Sequence, residues 1–211
     1  MIKAAIFDLD GTLMDSEGLW VEAVTQYLND RGRAIGGEEG QAIVYGRSWS
    51  DIYNDIVARH PELDVTIEEM EEAVRVYMLA LREGRDVIIA ESVNLLKQLA
   101  DDMPVCIVSG SPCADVEAAI DLMGIRDRVA FSIGAEEYGP GKPDPTCFLM
   151  ASKRLGVEAG QCVVFEDSSA GVQGANSAGM FCVALARQGF PKQDVSEADV
   201  VLADLGDFNM A

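Results

Sequence analysis

Apolar residues in this chain follow two rhythms. Short apolar runs occur at Ala4–Phe7, Val105–Val108, Ala130–Ile133 (interrupted by Ser132), Cys162–Phe165, Phe181–Leu185 and Val200–Leu202. Runs of this length bounded by polar turns read as strands buried on both faces of a parallel sheet. Between most of them, apolar residues recur at helical spacing. Val93, Leu96, Leu99 and Ala100 precede the second run, and Ser111-Pro112 opens a helix that Gly124 ends. Strand–helix alternation of this kind predicts a parallel sheet with helices on both faces.

The stretch after Thr12 breaks the alternation. Trp20, Val24, Tyr27 and Leu28 predict one helix, with Gly32 as its stop. Glycines and charges fill the stretch from Gly36 to Gly40. Ser50 is placed as the cap of a helix bearing Ile52, Tyr53, Ile56 and Val57, ended by Pro61. Thr66 and Glu69 make a capping box for a helix carrying Met70, Val74, Tyr77 and Met78, and Gly84 closes it. The expected organisation is a Rossmann-like α/β core, residues 1–15 and 87–211, interrupted by a helical segment, residues 16–86. Two chain crossings at that junction suit a hinge, and the insert suits a lid.

Composition narrows the classes. The chain has 211 residues, 49% hydrophobic, with a formal net charge of −20. That charge argues against a nucleic-acid or anionic-membrane surface. A bound phosphate then requires local positive charge. No apolar run approaches ~20 residues, so no membrane helix is expected. The first strand follows the N-terminus at once, which does not resemble a signal peptide. Five cysteines, an odd number with no C-x-x-C spacing, read as reduced thiols of a cytoplasmic protein. A monomer is the default expectation.

Chemistry concentrates where strands end. Asp8 and Asp10 follow the first run, with Gly11 at the turn; Ser109 and Gly110 follow the second. Lys142 lies in a loop beyond the third, in Gly-Lys-Pro-Asp-Pro, and Glu166-Asp167-Ser168 follow the fourth. Ligands in open α/β sheets bind outside the carboxyl ends of strands, so all four groups are expected at one edge. Two carboxylates one residue apart read either as an ordinary Asp-Gly turn or as a pair needing a cation or a shared proton.

Phosphoryl transfer would use every one of these groups. A carboxylate at ~4 Å from a phosphate dianion meets a repulsion of roughly 8 kcal/mol at an effective dielectric near 20. A divalent cation and an ammonium offset such a barrier. Asp8 is the candidate nucleophile, Lys142 the fixed positive charge, and Asp10 the acid and base. Asp167, with or without Glu166, would hold the cation with Asp8, and oxygen ligands favour Mg²⁺. Ser109 and the Gly110 N–H would bond phosphate oxygens, aided by the helix that starts near Pro112.

Asp8-Leu9-Asp10-Gly11-Thr12, Ser109, Lys142 in Gly-Lys-Pro-Asp-Pro, and Glu166-Asp167-Ser168 together resemble the four motifs of the haloacid dehalogenase (HAD) superfamily, over essentially the whole chain. The helical insert resembles the C1-type cap of its beta-phosphoglucomutase-like branch. The resemblance implies Mg²⁺, an aspartyl-phosphate on Asp8, a metal bond from the Asp10 carbonyl, and a supporting role for Thr12 in orienting Asp10. The second aspartate, absent from the superfamily's dehalogenases and phosphonatases, implies phosphate-ester chemistry. Mutases of the branch carry a histidine at the position matching Trp20. Tryptophan there favours hydrolysis of a small phosphorylated metabolite such as a sugar phosphate, with a phosphomutase as the alternative. Ala90-Glu91-Ser92-Val93 departs from the family's usual Pro-Gly-Val turn.

Other residues carry two readings. Arg47 either binds a second anionic group of the substrate or is a solvated surface arginine. Glu166 binds metal directly, through water, or not at all. Asp144 either orients Lys142 or shapes a turn. His60, the single histidine, reads as an exposed loop residue.

Overall fold

The computed structural model describes residues 1–45, 47, 49–187 and 193–209. Six parallel strands form one sheet: β1 Ala4–Phe7, β2 Val105–Val108, β3 Phe131–Ile133, β4 Cys162–Glu166, β5 Phe181–Leu185 and β6 Val200–Leu202. Their order is β3-β2-β1-β4-β5-β6. The first strand is therefore central, with Phe7 opposite Ile107 of β2 and Phe165 of β4. The Rossmann-like α/β core expected from the alternation is what the chain forms.

Period-two alternation builds the core. Ala4 and Ile6, Cys106 and Val108, Cys162 and Val164, Cys182 and Ala184 all enter one buried cluster. The cluster is completed by Cys147, Phe148 and Ala151 of one helix and by Val172 and Ala175 of another. Those helices are α7 (Thr146–Leu155) and α8 (Ser169–Ser177). Residues of the other parity include Phe7 and Phe165, stacked at 4.4 Å, and Phe208 meets Phe165 edge-on at 5.0 Å. The remaining core helices are α5 (Ala90–Asp102) and α6 (Cys113–Met123), the latter closed by Gly124 at φ +61°.

Clustering of contacts divides the chain into two units, Met1–Met14 with Ile88–Ala211, and Asp15–Val87. The second unit consists of α1 (Glu17–Asp30), α2 (Gly37–Val44), α3 (Trp49–Arg59) and α4 (Ile67–Arg82), with no strand among its described residues. Val24, Tyr27, Leu28, Ile43, Ile56, Met70 and Val74 are fully buried within it. Thr66 caps α4 as the sequence predicts: its hydroxyl accepts from Glu69 N, and Glu69 returns a bond to Thr66 N.

One helix is added and one local expectation is corrected. The glycine-rich stretch is a helix, because Ile43 and Val44 bury on one side while Glu38 and Glu39 occupy its first turn. Ser50 lies inside a helix that already begins at Trp49, so it is no cap. No helix among the described residues is long and apolar enough to cross a membrane.

Candidate active site

The central strand delivers Asp8 to the edge of the sheet. Its N–H continues the ladder, donating to Phe165 O at 2.9 Å, and its side chain is almost wholly buried. Lys142 reaches the same place from the loop after β3. Its Nζ lies 2.5 Å from Asp8 Oδ1 and 2.6 Å from Glu166 Oε1. The ammonium therefore sits between two buried carboxylates.

Glu166 is the last residue of β4 and has no exposed surface. Its second oxygen accepts from Asp167 N, Ser168 N and Ser168 Oγ at 3.0–3.1 Å. Gly171 makes room for it: a Cβ there would stand 1.9 Å from the Glu166 carboxyl carbon.

Asp167 meets the loop after β1. Thr12 Oγ1 donates to Asp167 Oδ1 at 3.1 Å, and a Cβ on Gly11 would lie 2.1 Å from Asp167 Oδ2. Gly11 also adopts φ +86°, a conformation that favours glycine. The Thr12 hydroxyl proton thus goes to Asp167. Oxygens of Asp8, Glu166 and Asp167 lie within 4.8 Å of one another.

Asp10 has different neighbours. Its Oδ2 accepts from Ser111 Oγ at 2.6 Å and from Ser109 Oγ at 3.2 Å. Ser109 Oγ also accepts from Ser111 N at 2.9 Å, and Ser109 O accepts from the Tyr138 hydroxyl at 3.0 Å. Ser109 is fully buried and Gly110 exposed. At the start of α6, Cys113 N donates to Glu136 Oε2 at 2.8 Å.

Electrostatics separate the acidic groups. Burial raises the Asp8 carboxyl well above the usual range; Lys142 opposes that shift, while Glu166 and Asp10 add to it. Burial works against charge on Lys142, but Asp8 and Glu166 outweigh it and hold the ammonium well above its ordinary value. Burial raises the Tyr138 phenol to about 12. Thiolate chemistry is disfavoured throughout. Burial pushes Cys147 to about 11 and Cys182 to about 12. Bonding to Glu136 raises the partly exposed Cys113.

Arg47 belongs to the helical unit. Its guanidinium bonds Asp55 Oδ2 at 2.7 Å and the carbonyls of Ile43 and Asp51 at 3.1 Å. Asp144 accepts from Thr146 N and Thr146 Oγ1, which shapes the turn into α7. The sequence reading missed Ser111 as a partner of Asp10. The repeated serine in Ser109-Gly110-Ser111, just past a buried strand, was its available signal.

A family model described as haloacid dehalogenase-like hydrolase matches residues 2–179. Validoxylamine A 7'-phosphate phosphatase of Streptomyces hygroscopicus subsp. limoneus is 32% identical over 97% of this chain and 95% of its own. Fructose-1-phosphate phosphatase YqaB of Escherichia coli (strain K12) is 31% identical over 84% of this chain and 93% of its own. Among solved structures, beta-phosphoglucomutase of Clostridium difficile superimposes with a TM-score of 0.80 at 26% identity, covering 99% of this chain and 94% of that one. CbbY of Rhodobacter sphaeroides, solved with phosphate, gives 0.83 at 20% identity, over 98% and 96%. A sheet with β1 at its centre, acidic and lysine side chains meeting at one edge, and a match over most of the sequence lead to one assignment: the chain belongs to the haloacid dehalogenase-like hydrolases.

Proposed function

We propose that this enzyme hydrolyses the phosphate monoester of a small metabolite, a sugar phosphate, with Asp8 as nucleophile and Asp10 as acid and base. The observation that carries this reading is the unequal setting of the two aspartates. Asp8 is buried against a lysine, while Asp10 is held by hydroxyls. The ammonium opposes the rise that burial gives the Asp8 carboxyl, as a nucleophile requires. A hydroxyl can donate to a carboxylate or accept from a carboxylic acid, as a proton carrier requires.

In the first step an Asp8 oxygen bonds to phosphorus as the ester P–O bond breaks. Asp10, protonated, gives its proton to the departing oxygen, which leaves as an alcohol. In the second step water attacks phosphorus and the Asp8–phosphorus bond breaks. The Asp10 carboxylate takes the water proton, so phosphate is released and both aspartates return to their starting states. Lys142 offsets charge at the phosphoryl oxygens, and Ser109 with the Gly110 N–H bonds them. Oriented acid–base work of this kind contributes about 10²–10⁴ in rate.

The donor set suits Mg²⁺. Asp8, Asp167 and Glu166 present only oxygens, grouped within 4.8 Å, and Gly11 leaves room for Asp167. Asp8, Asp167 and the Asp10 carbonyl would hold the ion, with Glu166 beside them. When bound, it supplies a Lewis acid that lowers the repulsion between carboxylate and phosphate. The helical unit serves as the cap in this reading. Trp20 within it has no group to give or take a proton, which favours hydrolysis over the mutase reaction.

Purified protein with Mg²⁺ and a panel of phosphorylated sugars, nucleotides and small acids tests the proposal. Inorganic phosphate should appear, and chelation should abolish its release. An isomeric sugar phosphate without free phosphate would instead establish a mutase. Asp8→Asn hydrolysing as fast as the parent would overturn the choice of nucleophile.

A further inference from the structure

Asp10 lies three residues beyond the end of β1, outside any strand, yet a proton carrier must be placed to a few tenths of an ångström. Two serines that follow the neighbouring strand β2 hold its carboxylate. We infer that Ser111 is a positioning residue for Asp10, fixing the carboxylate that carries protons between leaving group and water. The inference rests on the hydrolytic reading above.

Three observations support it. Ser111 makes the shorter of the two serine bonds to Asp10 Oδ2, 2.6 Å against 3.2 Å from Ser109. The Ser111 backbone is held on both sides, its N–H donating to Ser109 Oγ at 2.9 Å and its carbonyl accepting from Ala135 N at 3.0 Å. The Lys142 ammonium is taken up by Asp8 and Glu166.

These facts divide the work between the two serines. Ser109 is the candidate phosphate ligand and leaves Asp10 in part when substrate arrives. Ser111 remains, its carbonyl still accepting from Ala135 N. Its hydroxyl donates while Asp10 is a carboxylate and turns to accept when Asp10 is an acid. The choice of serine therefore serves both halves of the reaction.

Leaving-group dependence separates positioning of an acid from binding of substrate. Phosphoenzyme formation would be measured in single turnovers with p-nitrophenyl phosphate, whose leaving group needs no proton, and with an alkyl phosphate, whose leaving group does. Ser111→Ala should slow the alkyl ester about 10- to 100-fold and the nitrophenyl ester by less than about threefold. Ser111→Thr keeps the hydroxyl and should restore the alkyl rate to within about threefold of the parent. An equal loss on both esters, or a rise in KM alone, would overturn the inference and make Ser111 a substrate ligand. Asp10→Ala run in parallel keeps the two claims apart. If it shows no leaving-group dependence, the acid–base assignment of Asp10 fails and the role of Ser111 fails with it. If it does while Ser111→Ala behaves like the parent, only the inference about Ser111 fails.

Discussion

Lys142 Nζ lies 2.5 Å from Asp8 Oδ1, although 134 positions separate them in sequence. The lysine side chain is 11% exposed and that of Asp8 9%, so little water screens the pair. Glu166 holds the ammonium from its far side at 2.6 Å. One cation thus serves two buried carboxylates.

Removing that cation should show in stability and in its pH dependence. Lys142→Met leaves Asp8 and Glu166 uncompensated, a loss of about 3–5 kcal/mol. Burial already raises Asp8, and losing the lysine removes the opposing influence. A carboxyl raised in the folded state destabilises more as pH climbs from the unfolded value, about 3.9, towards the folded one. Denaturant titrations in chelator should therefore show a larger deficit at pH 8 than at pH 5. An equal deficit at both would contradict this account.

Gly11→Ala should uncouple the metal site from the loop. The new methyl would overlap Asp167 Oδ2, and φ +86° adds strain of about 1–2 kcal/mol. Calorimetric titration of Mg²⁺ is expected to show affinity at least about tenfold weaker, with the sheet's circular dichroism unchanged. Unaltered affinity would mean that Asp167 can shift without consequence.

Gly171→Ala acts on Lys142 at one remove. Its Cβ would fall 1.9 Å from the Glu166 carboxyl carbon, and both atoms cannot stay. The displaced glutamate would lose its hold on the ammonium, so kcat should fall about tenfold or more while KM changes little. A kcat within twofold of the parent would show that Glu166 does not position the lysine.

The helical unit offers an acid-sensitive contact. Hydrogen bonds from Arg59, and then from Arg47, lower the Asp55 carboxyl below its ordinary value. A depressed carboxyl stabilises above its unfolded value, about 3.9, and that contribution is lost as pH falls through the lower folded value. Asp55→Asn should lower the melting temperature at pH 7, and the gap from the parent should close near pH 3. Arg47→Met should lower it as well, since the guanidinium also bonds the Ile43 and Asp51 carbonyls. A KM rise with unchanged melting would instead assign Arg47 to the substrate.

The sequence by itself determined the sheet. Short apolar runs bounded by polar turns read as strands, so Val105–Val108, Phe181–Leu185 and Val200–Leu202 could be bounded to the residue, although Phe181 and Val201 stay exposed where burial on both faces was expected. It also determined where polar chemistry lies, because a carboxylate after a buried strand has only the sheet edge to occupy. The helix Gly37–Val44 escaped notice because its glycines mask a pattern that only two buried neighbours reveal. Tertiary structure alone decided the pairings. Nothing local in Thr12 says that its proton goes to Asp167, or in Glu166 that it braces Lys142. Nor does Ser111 reveal that it reaches Asp10 across 101 positions. Hydrogen bonds depend on tenths of an ångström between segments far apart in sequence, and those distances exist only once the sheet has brought the strand ends together.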